Sequence, residues 1–181
     1  IPMRCPVPEL IELGANVAVT TDGTAPAMPF DLFRAARDTA LLQQSVANDP
    51  FLLPAGKLLS MITIDAARAI GREHDLGSLE AGKLADITTI KMTSPHLMPR
   101  LMPIHQLMLF GNAGDVADVF VAGRALMRDR KVLSVAEADV FDCAEAASRE
   151  AIHRAGYERL LKPSTNFWTG AQSNLEALRE P

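Results

Sequence analysis

One strand followed by one long amphipathic helix is the feature that most limits what this chain can build. Residues 16–21, NVAVTT, alternate β-formers with small or polar residues and stop at Asp22–Gly23. After a loop over residues 22–29, apolar residues recur at Phe30, Phe33, Ala36, Ala40 and Leu41. That spacing predicts a helix ending near Asp49–Pro50. Pro8–Leu13 predicts a short helix ahead of the strand, with Gly14 as its stop. A closed βα barrel needs eight strand–helix units and roughly 200 or more residues. The 181 residues here hold one convincing unit. The chain therefore cannot close a barrel alone, and strand 16–21 is expected to need a parallel neighbour on each side.

The carboxylate at the end of this strand has two readings. Asp-Gly is among the commonest turn dipeptides. The carboxyl end of a parallel strand is also where α/β folds place their chemistry. Residues 16–24 alone leave both open.

Leu58, Leu59 and Ile62 predict a short helix after Pro54, and residues 63–71 predict another, with Thr63 as a cap and Gly71 as a stop. The pattern then changes to short antiparallel strands. Ala85–Lys91 reads as one. Residues 115–133 read as two strands turned at Ala122–Gly123, with Arg128–Asp129–Arg130 as a candidate second turn. Ser134 and Glu137 suggest a capping box. Phe141, Ala144, Ala147, Ala151 and Ala155 would line one face of the helix that follows, and residues 162–181 form a polar tail.

A net charge of −4 and a pI near 5.6, with no Lys/Arg cluster, exclude nucleic acid as the main partner. No apolar run is long enough to span a membrane. The first ten residues lack the basic start and apolar core of a signal peptide. Cys5 and Cys143 lie far apart and are expected as free thiols, which fits a cytoplasmic protein.

None of His74, His96, His105 and His153 stands at zinc-ligand spacing. His74, between two acids, reads as part of a solvated loop. His96 and His105 read as packing or supporting groups, and His153 as a surface residue. Residues 77–83, GSLEAGK, lack the phosphate-loop spacing and read as a β-turn. Met98, Met102 and Met108 read as adaptable packing.

The order of these segments is more specific than any one of them. TTDGT comes first, followed by a long helix and PAGKLLSMITIDAARAIG. LGSLEAGKLADITTI, SPHLMP and DVADVFVAGRALMRDRKVL complete the series. Across roughly residues 6–135 it resembles the carboxy-terminal half of metal-dependent amidohydrolases. The closest likeness is to the deaminase and chlorohydrolase branch, with its adenosylhomocysteine, guanine and cytosine deaminases and triazine hydrolases.

The resemblance implies an α/β fold: the last βα unit of a (β/α)8 TIM-type barrel plus part of a small β-sandwich. Residues 1–70 would be the barrel portion, 71–135 the sandwich segment, and 136–181 a terminal helix and tail. Asp22 would end the eighth strand as both a metal ligand, for Zn or Fe, and the catalytic proton shuttle. Gly23 would let the chain turn sharply away behind it. The reaction implied is hydrolysis of a C–N bond, most simply deamination of a nitrogen heterocycle. The family's H-x-H motif and middle-strand histidines are absent, so the chain is expected to be incomplete and inactive by itself. It would associate with itself or with a missing amino-terminal half. The alternative is a non-catalytic domain that binds a partner chain.

Overall fold

The computed structural model describes residues 4–23 and 29–162. The polar tail after Lys162 and most of the loop after Asp22 lie outside these residues. The chain divides into two compact units, Ile1–Ser134 and Val135–Pro181.

The first unit combines short helices with a four-stranded antiparallel sheet. Helix α1 spans Val7–Glu12, α2 Leu32–Ala47, α3 Ala55–Met61, α4 Ile64–Ala69 and α5 Pro103–Phe110. Strands β1 (Ile87–Ile90), β2 (Val116–Val121), β3 (Arg124–Arg128) and β4 (Lys131–Val132) pair in sequence order. Ile87 faces Phe120 across β1–β2, and Met127 faces Val132 across β3–β4. Both tight turns use left-handed residues in pairs, Ala122 with Gly123 and Asp129 with Arg130. Such pairs match the right-handed twist of the strands they join. The Arg128 guanidinium sits 4.5 Å from the centre of the Phe120 ring, within cation–π range.

The helices share one core of Val7, Ala36, Ala40, Leu53, Leu58, Met61 and Met108. Leu58, Met61 and Met108 are fully buried, each contributing about 1.5–3 kcal/mol through removal from water. Asp31 joins the two kinds of structure. Its Oδ1 caps α2 by accepting from the Arg34 N–H at 3.1 Å, while Oδ2 accepts from the Ala113 N–H at 3.0 Å, just ahead of β2. A side-chain cap of this kind is worth about 1 kcal/mol.

Residues 16–21 are extended and belong to no strand ladder among the described residues; several other expectations are corrected. Val17 and Val19 turn toward the core while Asn16, Ala18 and Thr20 are exposed. The alternation holds, but ladder bonds need a neighbouring strand. Strand β1 starts at Ile87 rather than Ala85, and the Asp86 carboxylate beside it accepts from the Ala122 N–H at 2.7 Å. Thr63 occupies the cap position of α4 but donates its hydroxyl to Leu59 O instead of capping. Helix α5 was not anticipated: Pro103 opens it in its first turn, where proline lacks nothing the helix needs.

In the second unit, α6 spans Glu137–Ala155 and ends at left-handed Gly156. Its cap is Ala136, with no side-chain bond, so the Ser134–Glu137 capping box does not form. None of its residues is buried, and Phe141 on the expected apolar face is 66% exposed.

Candidate active-site segment

Helix α1 ends in a Schellman turn. Gly14, at φ 80°, gives its N–H to Ile11 O, and Ala15 gives its N–H to Leu10 O, both at 2.9 Å. A glycine accepts this left-handed conformation without the Cβ clash other residues suffer. The chain then leaves the helix in extended form, tethered at two points. Asn16 Nδ2 donates to Asp65 O at 2.8 Å, and the Val19 N–H donates to Met61 O at 3.1 Å.

The segment ends at Asp22, which is exposed and holds φ 56°. Aspartate is one of the few residues that adopt this region as single residues. Its carboxylate makes no hydrogen bond or ion pair with any described residue. Gly23 is not in the left-handed region, and the chain behind it, where its expected role falls, lies outside the described residues.

The four histidines are not brought to Asp22. His74 and His105 are exposed. His153 lies on α6, its Nδ1 at 2.9 Å from Glu158 Oε1. His96 donates through Nε2 to Asp115 Oδ2 at 2.8 Å. Asp115, only 3% exposed, also accepts from Ser94 Oγ at 2.9 Å and from the Asn112 N–H at 3.1 Å. Burial pushes the Asp115 carboxyl up, but the bonds from His96, Ser94 and Asn112 together outweigh it and leave it below its usual range. Ser94 gives its hydroxyl to the aspartate rather than to the histidine, so these residues lack the nucleophile–base contact of a hydrolytic triad. They fasten the start of β2 to the chain ahead of α5. The sequence reading missed this cluster, and its one available signal was the Asn112/Asp115 capping box.

Lys83 accounts for the GSLEAGK stretch. Its Nζ reaches Glu73 O and Ser78 Oγ, each at 2.6 Å, and Glu80 Oε1 at 3.2 Å. It is spent on holding a turn together.

No three His, Cys, Asp or Glu side chains come together as a metal site among the described residues. A zinc centre takes at least three protein ligands, and Asp22 is one carboxylate. The described residues do not by themselves fit a metal centre.

The Amidohydrolase family matches residues 1–126. The chain belongs to this family. It is 38% identical over 130 residues to a 5-methylthioadenosine/S-adenosylhomocysteine deaminase of Syntrophobacter fumaroxidans, covering 72% of this chain and 30% of that protein. It is also 38% identical over 145 residues to a 5'-deoxyadenosine deaminase of Methanothermobacter thermautotrophicus, covering 80% and 34%. Among solved structures, an adenosine deaminase from Xanthomonas campestris with bound zinc superposes with a TM-score of 0.79 at 31% identity. That match covers 83% of this chain and 34% of the other. Atrazine chlorohydrolase TrzN from Arthrobacter aurescens, complexed with zinc, gives 0.66 at 25% identity, covering 78% and 31%. This amidohydrolase chain thus spans about a third of the length of the relatives it matches. No helix among its described residues is long and apolar enough to cross a membrane.

Proposed function

We propose that this chain is the carboxy-terminal part of a cytoplasmic amidohydrolase that removes an amino group from an adenosine-type heterocycle by hydrolysis. In this reading residues 16–21 are the last strand of a (β/α)8 barrel and α2 is its covering helix. Strands β1–β4 belong to a small β-sandwich. The domain limits are 1–70, 71–135 and 136–181.

The observation that carries the reading is the placement of Asp22. Its carboxylate stands unpaired among the described residues, at the end of an extended segment whose backbone is otherwise unladdered. Hydrolysis at a ring carbon needs a base that takes a proton from the attacking water and later gives one to the departing nitrogen. A carboxylate free of structural bonds can do both. Asp22 would also lend one oxygen to a divalent zinc or iron whose remaining ligands lie outside these residues.

The surface supports association with such a complement. Phe30, Leu41, Leu42, Val46 and Phe51, on and around α2, are between 52% and 85% exposed. Large contiguous apolar surface is unusual on a monomer. The alternative, a non-catalytic domain that binds a partner chain, draws on the absence of a metal cluster among the described residues.

Sedimentation combined with an ammonia-release assay tests the proposal. The 181-residue chain alone should associate and should release no ammonia from adenosine derivatives in the presence of zinc or iron. A soluble monomer that turns over substrate would refute the composite-site reading. An assembly with the complementary barrel segments that stays inactive would favour the non-catalytic alternative.

A further inference from the structure

Asp65 is a charged group that the proposed chemistry does not use. It is 4% exposed, yet carries a carboxylate between two cations. Lys57 Nζ of α3 lies at 2.7 Å from Oδ2, and Arg68 Nη1 of α4 lies at 2.8 Å from Oδ1. A buried carboxylate requires such partners, and removing one is costly. The Lys57 pair ties the first turn of α3 to the first turn of α4, and the Arg68 pair braces Asp65 within α4. They also hold Asp65 in place, and its backbone carbonyl accepts from the Asn16 side chain at 2.8 Å.

Asn16 opens the extended segment and Asp22 closes it. Between them the only other polar tether to the helices among the described residues is the bond from the Val19 N–H to Met61 O. Met61 ends α3 and Asp65 lies in the first turn of α4, so both tethers end on the joint that the ion cluster braces. Two fixed points define a direction, and the direction of an extended segment sets where its last residue points.

We propose that Asn16 is a positioning residue for Asp22, gripping the Asp65 carbonyl that the Lys57–Asp65–Arg68 cluster holds in place. This rests on the reading of Asp22 as the proton-transferring group. Asn16 touches no reacting atom. It limits the swing of the segment, so that the carboxylate is presented in one place. Misplacement of a catalytic group by about 1 Å can cost on the order of a hundredfold in rate.

The test uses Asn16→Asp, which keeps the size and removes the N–H donors, and Lys57→Met, which keeps much of the side-chain length and removes the cation. In the 181-residue chain, amide exchange at Val19 should quicken about threefold to tenfold in both variants, the factor that one net hydrogen bond represents. In the active assembly, kcat should fall about tenfold to a hundredfold with KM changed less than about twofold. Unchanged exchange at Val19 would overturn the tether. Faster exchange with unchanged kcat would overturn positioning, as would a rise in KM that accounts for the whole loss. Asp22→Asn is measured alongside. If it keeps the wild-type rate, the catalytic reading fails and the positioning role fails with it, while the exchange data still report on the tether.

Discussion

Replacing Asp115 removes the acceptor that three donors share. Ser94 Oγ, His96 Nε2 and the Asn112 N–H lie at 2.9, 2.8 and 3.1 Å from its oxygens. Hydrogen bonds to a charged acceptor are worth about 1.5–3 kcal/mol each. Ser94 is half-buried and His96 exposed, so both recover part of that loss by turning to water. Asp115→Ala should therefore destabilise the fold by about 3 kcal/mol, and Asp115→Asn, which keeps one acceptor, by about 1–2 kcal/mol. Such losses are a sizeable share of the roughly 5–15 kcal/mol typical of a domain. The effect should depend on pH. The folded carboxyl titrates below its usual range, so protonation favours the unfolded chain. The stabilisation is complete above the unfolded value of about 4 and is lost as pH falls through the lower folded value. Urea unfolding of wild type and Asp115→Ala at pH 7 and at pH 3 measures this. The difference between them should be largest at pH 7 and shrink at pH 3. A difference that is equal at both, or below about 0.5 kcal/mol at pH 7, would refute the role given to this cluster.

Gly77→Ala should cost about 2–4 kcal/mol. The residue holds φ 86°, and an added Cβ would fall 2.7 Å from Ala67 Cβ and 2.8 Å from Ile64 Cα in α4; thermal unfolding checks it, and an unchanged midpoint would contradict the packing. Asp86→Ala should cost about 1 kcal/mol through loss of the bond from the Ala122 N–H. It should leave kcat of the active assembly unchanged, and a kcat loss would mean that the sheet reaches the chemistry.

Local pattern made much of the fold legible. The helices around Ala36, Ala40 and Leu58 follow from apolar spacing, and the β2–β3 hairpin follows from Ala122–Gly123. What failed was what depends on distant chain. Val17 and Val19 alternate as a strand should, but a ladder needs a neighbour, which local sequence cannot supply. Helix α5 was obscured because Pro95, Pro99 and Pro103 punctuate its approach, and a proline that opens a helix looks like one that breaks it. The Asp115 cluster draws Ser94 and His96 from well upstream in sequence, so no spacing announces it. At the candidate site, Asp22 was visible as a residue that ends an alternating run. Its left-handed backbone was not, because Gly23 is the residue that pattern reasoning expects to turn. The tether from Asn16 to Asp65 joins a side chain to a distant carbonyl, and such a bond leaves no trace in sequence.

The central claim, that Asp22 moves the proton of a hydrolytic deamination, is tested most directly by kcat of Asp22→Asn in the active assembly. Asparagine keeps the size and an oxygen donor but cannot accept the proton of water. The account predicts a loss in kcat of about 10²- to 10⁴-fold, with KM little changed. Retention of more than about a tenth of the wild-type rate would contradict it, and Asp22 would then be no more than the turn that its neighbour Gly23 first suggests.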